Sequence, residues 1–235
     1  IFFYQDPYAM EESKILMAPT FENILGCDNL GRDIFSRLLL GSFYTLAIAF
    51  LSISLSVITG TIIGSLAGYF GKGIDVIIMS IVEVIMSIPG ILIALGIIII
   101  LGTGFHSLIV AIFVIYIPRC VNVVRGLVKK EKNMEYVIAV KTYGVSDLRI
   151  IYRHILPNIL KSVSVSFTTG FAGAILTGLG YLGLGIQPPY PTWGNMLNQS
   201  QSYFLSAPWF TIAPGLAIIF TIYQIKKLEK RGRKY

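Results

Sequence analysis

Long apolar runs, separated by short stretches of glycine, proline and polar residues, dominate the pattern of this chain. Five of them approach the roughly 20 residues that a helix needs to cross the hydrocarbon core of a bilayer. They occupy residues 45–70, 74–101, 105–124, 161–184 and 209–225. No stretch alternates polar and apolar residues with period two, and in lipid only helices and closed barrels satisfy the backbone. The pattern therefore predicts an all-α, polytopic membrane protein.

The N-terminal stretch begins on apolar residues and then turns polar. The letters IFFY at positions 1–4 precede QDPY, which is typical of the last turn of a helix followed by a loop. We therefore expect the end of a further, truncated first helix here, with an extracytoplasmic segment up to residue 44. The membrane domain is expected over 45–225 and a basic tail over 226–235.

Composition and charge agree with a membrane location. Hydrophobic residues make up 54% of the 235 residues and charged residues 13%, about half the charged fraction of soluble domains. The net charge of +7 would suit nucleic acid, but its placement argues otherwise. Eight of the nineteen Lys and Arg residues lie in 125–161 and six in 226–234. The positive-inside rule then places both segments and the C-terminus in the cytoplasm, with anionic membrane lipid as a secondary contact.

A polar insert at 129–157 interrupts the apolar pattern between the third and fourth spans. Its apolar residues still recur at helical spacing, and they include Val137, Val140, Leu148, Ile151 and Ile155. Gly144 separates two short helices. Ser146 and Asp147 can cap the second helix, and Pro157 favours its end. This helix, turn and helix is expected at the membrane surface, where it either rests on lipid or docks a cytosolic partner.

The sequence EYVIAVKTYGVSDLRIIYRHILPN, which starts at Glu135, resembles the cytoplasmic signature of the permease subunits of ABC importers. The match is closest to the branch that transports dipeptides, oligopeptides and nickel. Ile138 and Val140 depart from the pattern, since the family usually has glutamate and alanine there. The resemblance implies that this segment is the coupling helix that contacts an ATPase. The residues that it implicates are Glu135, Ala139, Gly144, Ser146, Arg149, His154, Leu156 and Pro157.

Three further segments resemble the same branch, in the same order along the chain. GCDNLGRDIFSRLLLGS at 26–42 is similar to its extracytoplasmic signature, and SIVEVIMSIPGILIAL at 80–95 is similar to one of its membrane segments. The outer loop at 183–209 matches almost residue for residue. The resemblance covers about residues 6–220 in four separate motifs.

The resemblance implies a type I ABC importer permease fold with five recognisable transmembrane helices. It implies one half of a translocation pathway in the bacterial inner membrane, built together with a sister permease subunit. An extracytoplasmic binding protein would deliver the substrate, and two separate ATPase subunits would bind ATP and Mg. The chain itself has no G-x-x-x-x-G-K-[ST] loop, so we expect no nucleotide site, catalytic residue or cofactor in it. The cargo stays open between a peptide, nickel and a metal chelate.

Two ionisable residues lie well inside the apolar spans. Glu83 is about nine residues from the cytoplasmic end of its span, roughly 13 Å at 1.5 Å per residue. Arg119 lies six residues before Arg125 on the next span. Charges inside a membrane mark functional sites by default, so we predict that Glu83 and Arg119 approach each other near the inner leaflet, within this subunit or across its partner. The alternative is that each side chain extends separately to the lipid headgroups.

A row of glycines marks the first predicted span. Gly60, Gly64 and Gly68 share one helix face, which predicts close packing of a neighbouring helix.

The outer end of the fourth span and the loop after it are a candidate gate. Gly183 and Gly185 would let an outer gate bend or would thin the wall of a pathway. The loop QPPYPTWG is stiffened by prolines, Pro188 among them, and is expected to expose Tyr190 and Trp193. It would then be an interfacial anchor, a surface for the binding protein or part of the gate.

No metal or enzymatic site is predicted. His106 and His154 fall on opposite faces of the membrane, and Cys27 and Cys120 lie in different kinds of segment, so neither pair predicts a shared ion or a disulfide. A secondary transporter or channel that needs no ATPase is the alternative function. It is disfavoured by the lack of detectable inverted repeats and the scarcity of ionisable residues within the spans. A membrane-embedded enzyme would need a convergent set of catalytic side chains, which the sequence does not show.

Overall fold

The computed structural model describes residues 4–180 and 189–232, and this part of the chain is helical with short irregular connections. Its α-helices are α1 (Ile34–Phe70), α2 (Lys72–Ser87), α3 (Gly90–Leu101), α4 (Phe105–Glu131), α5 (Glu135–Thr142), α6 (Asp147–Ile150), α7 (Leu156–Gly180), α8 (Trp193–Ser200) and α9 (Pro208–Gly232). A π-helical turn, Ile151–Ile155, joins α6 to α7. The described residues contain no β-strand, only an isolated bridge between Cys27 and Asp33. The predicted all-α class is confirmed.

Four helical stretches of the described chain are long and apolar enough to cross a membrane. They are α1, α4, the continuous helix Asp147–Gly178 and most of α9. The fifth candidate is the pair α2 and α3, which are bent by 92°. The prediction of one uninterrupted span over 74–101 is wrong, because Pro89 has no backbone N–H and disfavours a helical conformation at the residue before it. Ile88 accordingly adopts an extended conformation with φ −91° and ψ 127°.

The helices extend beyond the predicted spans. α1 begins at Ile34, well before the predicted start, since the Asp33 carboxylate caps it by accepting a hydrogen bond from the Ser36 backbone N–H at 2.8 Å. α4 continues to Glu131 and α9 to Gly232. Lysine, arginine and glutamate are good helix formers, so a helix can continue after it leaves the hydrocarbon. The apolar pattern therefore predicted the spans but not the helix ends.

The fourth span begins inside the predicted insert rather than after it. The helix runs from Asp147 through the π turn into α7, whereas Pro157 was predicted to end it or to make it kink. In a regular α-helix the Pro157 ring would meet the carbonyl group of Arg153, four residues earlier. The wider π turn directly before α7 relieves that clash while the chain stays helical. The insert is therefore continuous with a membrane span.

The central contact of the fold lies between α1 and α4. A Cβ placed on Gly64 would lie 2.8 Å from the Val121 carbonyl oxygen, and one on Gly68 would lie 2.7 Å from the Arg125 carbonyl oxygen. Gly60 comes equally close to α4 one turn further out. Only residues without a side chain allow two helix backbones to approach so closely. The structure thus shows the close packing that the glycine spacing predicts.

A buried group of charges holds the segment before α1 to the helices. Asp28 Oδ2 lies 2.7 Å from Arg32 Nε and 3.3 Å from Arg37 Nε, and all three side chains are at most 1% exposed. Arg32 also donates a hydrogen bond to Gln199 Oε1 of α8 at 3.2 Å. Buried ions are stable only when they are paired in this way. The segment before α1 is therefore held to the helices by a buried ion cluster.

Gly64→Ala is expected to destabilise the protein, because the new methyl group would overlap backbone atoms of α4. Overpacking of this kind costs about 1–3 kcal/mol, whereas the gain in helix propensity is at most about 1 kcal/mol. The matched control is Gly126→Ala on α4, where an added Cβ meets nothing within 4 Å. Thermal unfolding in detergent should give a lower apparent midpoint for Gly64→Ala and an unchanged or higher one for Gly126→Ala. Equal midpoints would contradict the close contact.

Cys27 is expected to resist alkylation while the protein is folded. Its thiol is fully buried, and burial together with the charge of Asp33 raises the pKa of Cys27 to about 11. Since the thiolate is the reactive species, the reaction at pH 8 should be roughly a hundredfold slower than for an ordinary thiol. After brief maleimide treatment, mass spectrometry should find Cys27 unmodified in the folded protein and modified in SDS. Rapid modification of the folded protein would show that this segment opens.

Candidate functional site

The candidate site is the elbow, which we define as residues 135–155, with α5, the turn at Gly144, α6 and the π turn. At the end of α5 the Tyr143 N–H donates to the Ala139 carbonyl oxygen at 3.2 Å, and the Gly144 N–H donates to the Lys141 carbonyl oxygen at 3.0 Å. Gly144 then adopts a φ of +77°, a left-handed conformation that is strained for residues with a Cβ. The glycine makes the sharp turn between two helices that the sequence predicts.

One face of the elbow is buried against the membrane helices. A single apolar cluster joins it to α1, α4 and α7, and its buried members are Tyr69, Val124, Val128, Val137, Ile150, Ile151, Ile155, Ile159 and Val163. Leu148, which the sequence placed on the apolar face, is instead 56% exposed. The buried apolar face of the insert therefore packs against the protein's own spans rather than against lipid.

A tyrosine at the end of α1 holds the start of α6. The Tyr69 hydroxyl donates a hydrogen bond to Asp147 Oδ1 at 2.6 Å, and Lys141 Nζ lies 3.7 Å from the same oxygen. The ammonium groups of Lys132 and Lys141 are 5.3 and 5.7 Å from the centre of the Tyr69 ring, within the range of cation–π attraction. The predicted cap of α6 is wrong, because the Ser146 side chain makes no capping hydrogen bond and Tyr69 binds the Asp147 carboxylate instead.

A second tyrosine holds α5. The Tyr136 hydroxyl donates a hydrogen bond to Glu131 Oε1 at the end of α4 at 2.5 Å, and accepts one from Asn158 Nδ2 near the start of α7 at 2.7 Å. Partial burial and the Glu131 carboxylate raise the pKa of Tyr136, so the hydroxyl keeps the proton that it donates. Both helices of the elbow are thus fixed to the spans by a directional contact.

The rest of the elbow is exposed and carries most of the predicted coupling residues. Glu135, Ala139, Gly144, Ser146, Arg149 and Pro157 are exposed, whereas His154 and Leu156 are half-buried. Apart from the anchored Tyr136, the same region exposes four large apolar side chains, those of Ile138, Tyr143, Leu148 and Tyr152. A group of exposed apolar side chains among charged residues is typical of a surface that another protein covers.

Asp75 of α2 pairs with basic residues of α4. It binds the guanidinium group of Arg125 on α4 through both carboxylate oxygens, with Nη2 2.7 Å from Oδ2. Lys129 Nζ, one turn further along α4, lies 2.9 Å from the same oxygen. Asp75 was not among the predicted site residues, although it is the second residue of the predicted span 74–101.

The predicted contact between Glu83 and Arg119 is not made within the described residues, where both side chains are exposed and neither has an ion-pair partner. Met86, almost one turn beyond Glu83, contacts Asn122 instead of Arg119, with Asn122 Nδ2 3.3 Å from Sδ. Glu83 therefore lies beside the stretch from Asn122 to Arg125, and Arg119 lies one turn further outward. Counting residues from the span ends ignored the angle at which α2 crosses α4.

The outer loop is described only in part. Gly183, Gly185 and Pro188 lie outside the described residues. Trp193 was predicted to be exposed, but it is 4% exposed, because its indole N–H donates to the Leu38 carbonyl oxygen at 3.1 Å and its ring packs against α1. Tyr190 is exposed, and the centre of its ring lies 5.4 Å from that of Phe105.

The two histidines occupy separate places. His106 Nε2 lies 3.1 Å from the Leu101 carbonyl oxygen at the start of α4, and His154 lies in the elbow. In the described part of the chain, no three His, Cys, Asp or Glu side chains are close enough to hold a metal ion.

Comparison with known proteins gives consistent matches. The family described as "Binding-protein-dependent transport system inner membrane component" matches residues 60–227. The dipeptide transport system permease protein DppC of Alkalihalophilus pseudofirmus is 39% identical over 212 residues, which are 89% of this chain and 70% of that protein. The glutathione transport system permease protein GsiD of Pectobacterium atrosepticum is 39% identical over 225 residues, which are 93% of this chain and 75% of that protein.

Solved structures match as well. A chain of the MetNI methionine ABC transporter, in an inward-facing conformation, superposes with a TM-score of 0.74 at 19% identity, over 86% of this chain and 97% of that chain. A chain of an amino acid ABC transporter gives a TM-score of 0.59 at 19% identity, over 86% of this chain and 95% of that chain. At this identity the likeness concerns the fold, and it confirms the predicted type I ABC importer permease fold.

Tyr69→Phe tests the first anchor of the elbow, because it removes the hydroxyl and keeps the buried ring. The hydrogen bond to the partly exposed Asp147 should contribute about 0.5–1 kcal/mol. Backbone amides of residues 135–147 should then exchange with deuterium roughly two- to fivefold faster in detergent. The control is Tyr223→Phe on α9, an exposed tyrosine whose hydroxyl makes no hydrogen bond to the described residues. Equal exchange in both variants would remove Tyr69 as an anchor.

Proposed function

We propose that this chain, which belongs to the family of binding-protein-dependent transport system inner membrane components and is a permease subunit of an ATP-binding-cassette importer, carries peptides across the bacterial inner membrane. The support for a peptide comes from relatives at 39% identity, which are described as permeases for dipeptides and for glutathione. Peptides are therefore favoured over nickel and metal chelates.

The elbow is the surface on which an ATPase subunit docks. The observation that supports this most is the division of the elbow into a bound face and a free face. The bound face shares an apolar cluster with three membrane helices, so a push on the elbow is passed to the spans. The free face carries exposed apolar side chains beside the coupling residues, from Glu135 to Pro157, with Tyr143 86% exposed. ATP and Mg would bind in the two ATPase subunits, and ATP-driven closure would move the elbow as a rigid lever.

This role requires the elbow to lie in the cytoplasm. The basic residues of the elbow and of the C-terminal end of α9 support that orientation through the positive-inside rule. Between the elbow and the C-terminal tail the chain crosses the membrane twice, through α7 and α9. Two crossings bring the tail back to the side of the membrane on which the elbow lies. The C-terminus is then cytoplasmic, and the buried ion cluster around Asp28 lies on the outer side.

A sister permease subunit completes the pathway, and a binding protein delivers the substrate from outside. In α2 only Asp75 and Val82 are buried, and this helix exposes the apolar residues Val76, Ile77, Ile81 and Val84. Such a surface must be covered by lipid or by a second subunit. In a permease that forms half of a pathway, the sister subunit would cover it. The outer loop with Gly183, Gly185, Pro188 and the anchored Trp193 is our candidate for the gate and the contact with the binding protein.

Ala139→Arg tests the docking of the ATPase. Ala139 is exposed on α5, and arginine forms helices well, so the elbow should fold while its free face becomes blocked. The matched control is Ala9→Arg, the same change at an exposed position of the outer segment. Complexes are purified through a tag on the permease, and the amount of co-purified ATPase subunit is measured. It should be at least about tenfold lower for Ala139→Arg than for the control, since a charge buried in an interface costs several kcal/mol. ATP-driven peptide uptake into proteoliposomes should fall with it.

Three results would contradict the proposal. Loss of ATPase in Ala9→Arg and not in Ala139→Arg would reverse the orientation. Full ATPase binding in Ala139→Arg would remove the docking surface. Full uptake by liposomes that contain no ATPase would favour a secondary transporter or channel.

A further inference from the structure

Arg119 carries a charge into a membrane span. It lies six residues before Arg125, where the charged end of α4 begins, which is roughly 9 Å at 1.5 Å per residue. Its side chain is exposed, and its guanidinium group makes no hydrogen bond and no ion pair with the described residues. A charge inside the hydrocarbon is unfavourable against lipid. It therefore needs water, a partner subunit or a ligand.

Two open cavities flank Arg119. One has a volume of about 310 Å³ and lies at the bend between α2 and α3, lined by Met86, Ile88, Gly90 and Pro118 among others. This volume falls at the lower end of the range of small-ligand sites, about 300–1,000 Å³. Arg119 thus lines a cavity that is large enough for a small substrate.

The second cavity brings polar groups from α7 to the other side of Arg119. It has a volume of about 150 Å³, and its lining includes Tyr116, Ser166 and Thr169. Polar side chains that cluster inside a membrane span typically face water rather than lipid. The polar groups around Arg119 form such a cluster across α4 and α7.

The side-chain chemistry of Arg119 indicates which class of ligand it would bind. A guanidinium group is always charged, and its planar fork matches a carboxylate with two parallel hydrogen bonds. A peptide carries one carboxylate at its C-terminus whatever its side chains are. We propose that Arg119 binds the C-terminal carboxylate of the peptide as it passes through the membrane, a role that rests on the proposed function as a peptide permease.

The test compares two peptides of one sequence, one with a free C-terminal carboxylate and one with a C-terminal amide. Both are supplied at concentrations that saturate the purified binding protein, so that differences in uptake report on the permease. The complete complex in proteoliposomes is measured with wild-type chain, Arg119→Gln and Arg119→Lys. The control variant is Lys161→Gln, which removes an exposed positive charge at the inner end of α7.

Arg119→Gln should take up the carboxylate peptide about tenfold more slowly, because a charge-assisted contact is lost, while uptake of the amide changes less than about twofold. The preference for the carboxylate over the amide should therefore disappear. Arg119→Lys should keep part of the preference, because the charge remains, and Lys161→Gln should keep all of it.

Two results would overturn the site while leaving the peptide permease intact. The first is an equal slowing of both peptides, or of neither, in Arg119→Gln. The second is loss of the sister subunit from the purified Arg119→Gln complex but not from the Arg119→Lys complex, which would show an ion pair between subunits. If the wild-type complex takes up neither peptide, the proposed cargo is wrong and the site is lost with it.

Discussion

The elbow can act as a lever only if it is fixed to the membrane helices, and one buried apolar cluster provides that fixation. The cluster draws side chains from the elbow and from the ends of α1, α4 and α7. Each buried aliphatic side chain contributes about 1.5–3 kcal/mol, as an upper estimate, whereas each hydrogen bond adds about 1 kcal/mol. Apolar burial therefore supplies the strength of the joint. The hydrogen bonds of the Tyr69 and Tyr136 hydroxyl groups fix the orientation of the elbow relative to the spans, because hydrogen bonds are sensitive to angle.

The rest of the spans divide into a close-packed centre and a less covered periphery. α1 and α4 touch along their backbones at Gly60, Gly64 and Gly68, which gives the elbow a rigid base. α2 and α3 are tied to that base by Asp75 at one end and bend by 92° near Pro89. Their exposed apolar surface fits a subunit that completes its packing only against a sister subunit. Arg119 lies on α4 next to the bend between α2 and α3, so its charged side chain faces the cavity at that bend.

The apolar pattern of the sequence was enough to predict the fold class and the approximate places of the spans, because hydrophobic length is a property of composition, but it did not predict the break at Pro89. The turn at Gly144 was also predictable, since a glycine between two amphipathic helices indicates a left-handed turn. Features that depend on tertiary contacts were not. Nothing in the sequence shows that Tyr69, at the end of a long apolar run, reaches Asp147, or that Trp193 turns inward to α1. The depths of Glu83 and Arg119 were estimated along straight helices, and the crossing of α2 over α4 placed them differently.

The most direct test of the account is whether the elbow and the spans move as one body. Spin labels at Tyr143→Cys on the elbow and at Phe70→Cys at the end of α1 would occupy exposed positions, while the native Cys27 and Cys120 are buried. Distances measured by double electron–electron resonance in the nucleotide-free and ATP-bound complex should agree within about 2 Å, while the distance from Tyr143→Cys to a label on the sister subunit's elbow changes. A change of more than about 5 Å between the two labels on this chain, the height of one helical turn, would show that the elbow swings on its own and would contradict the lever.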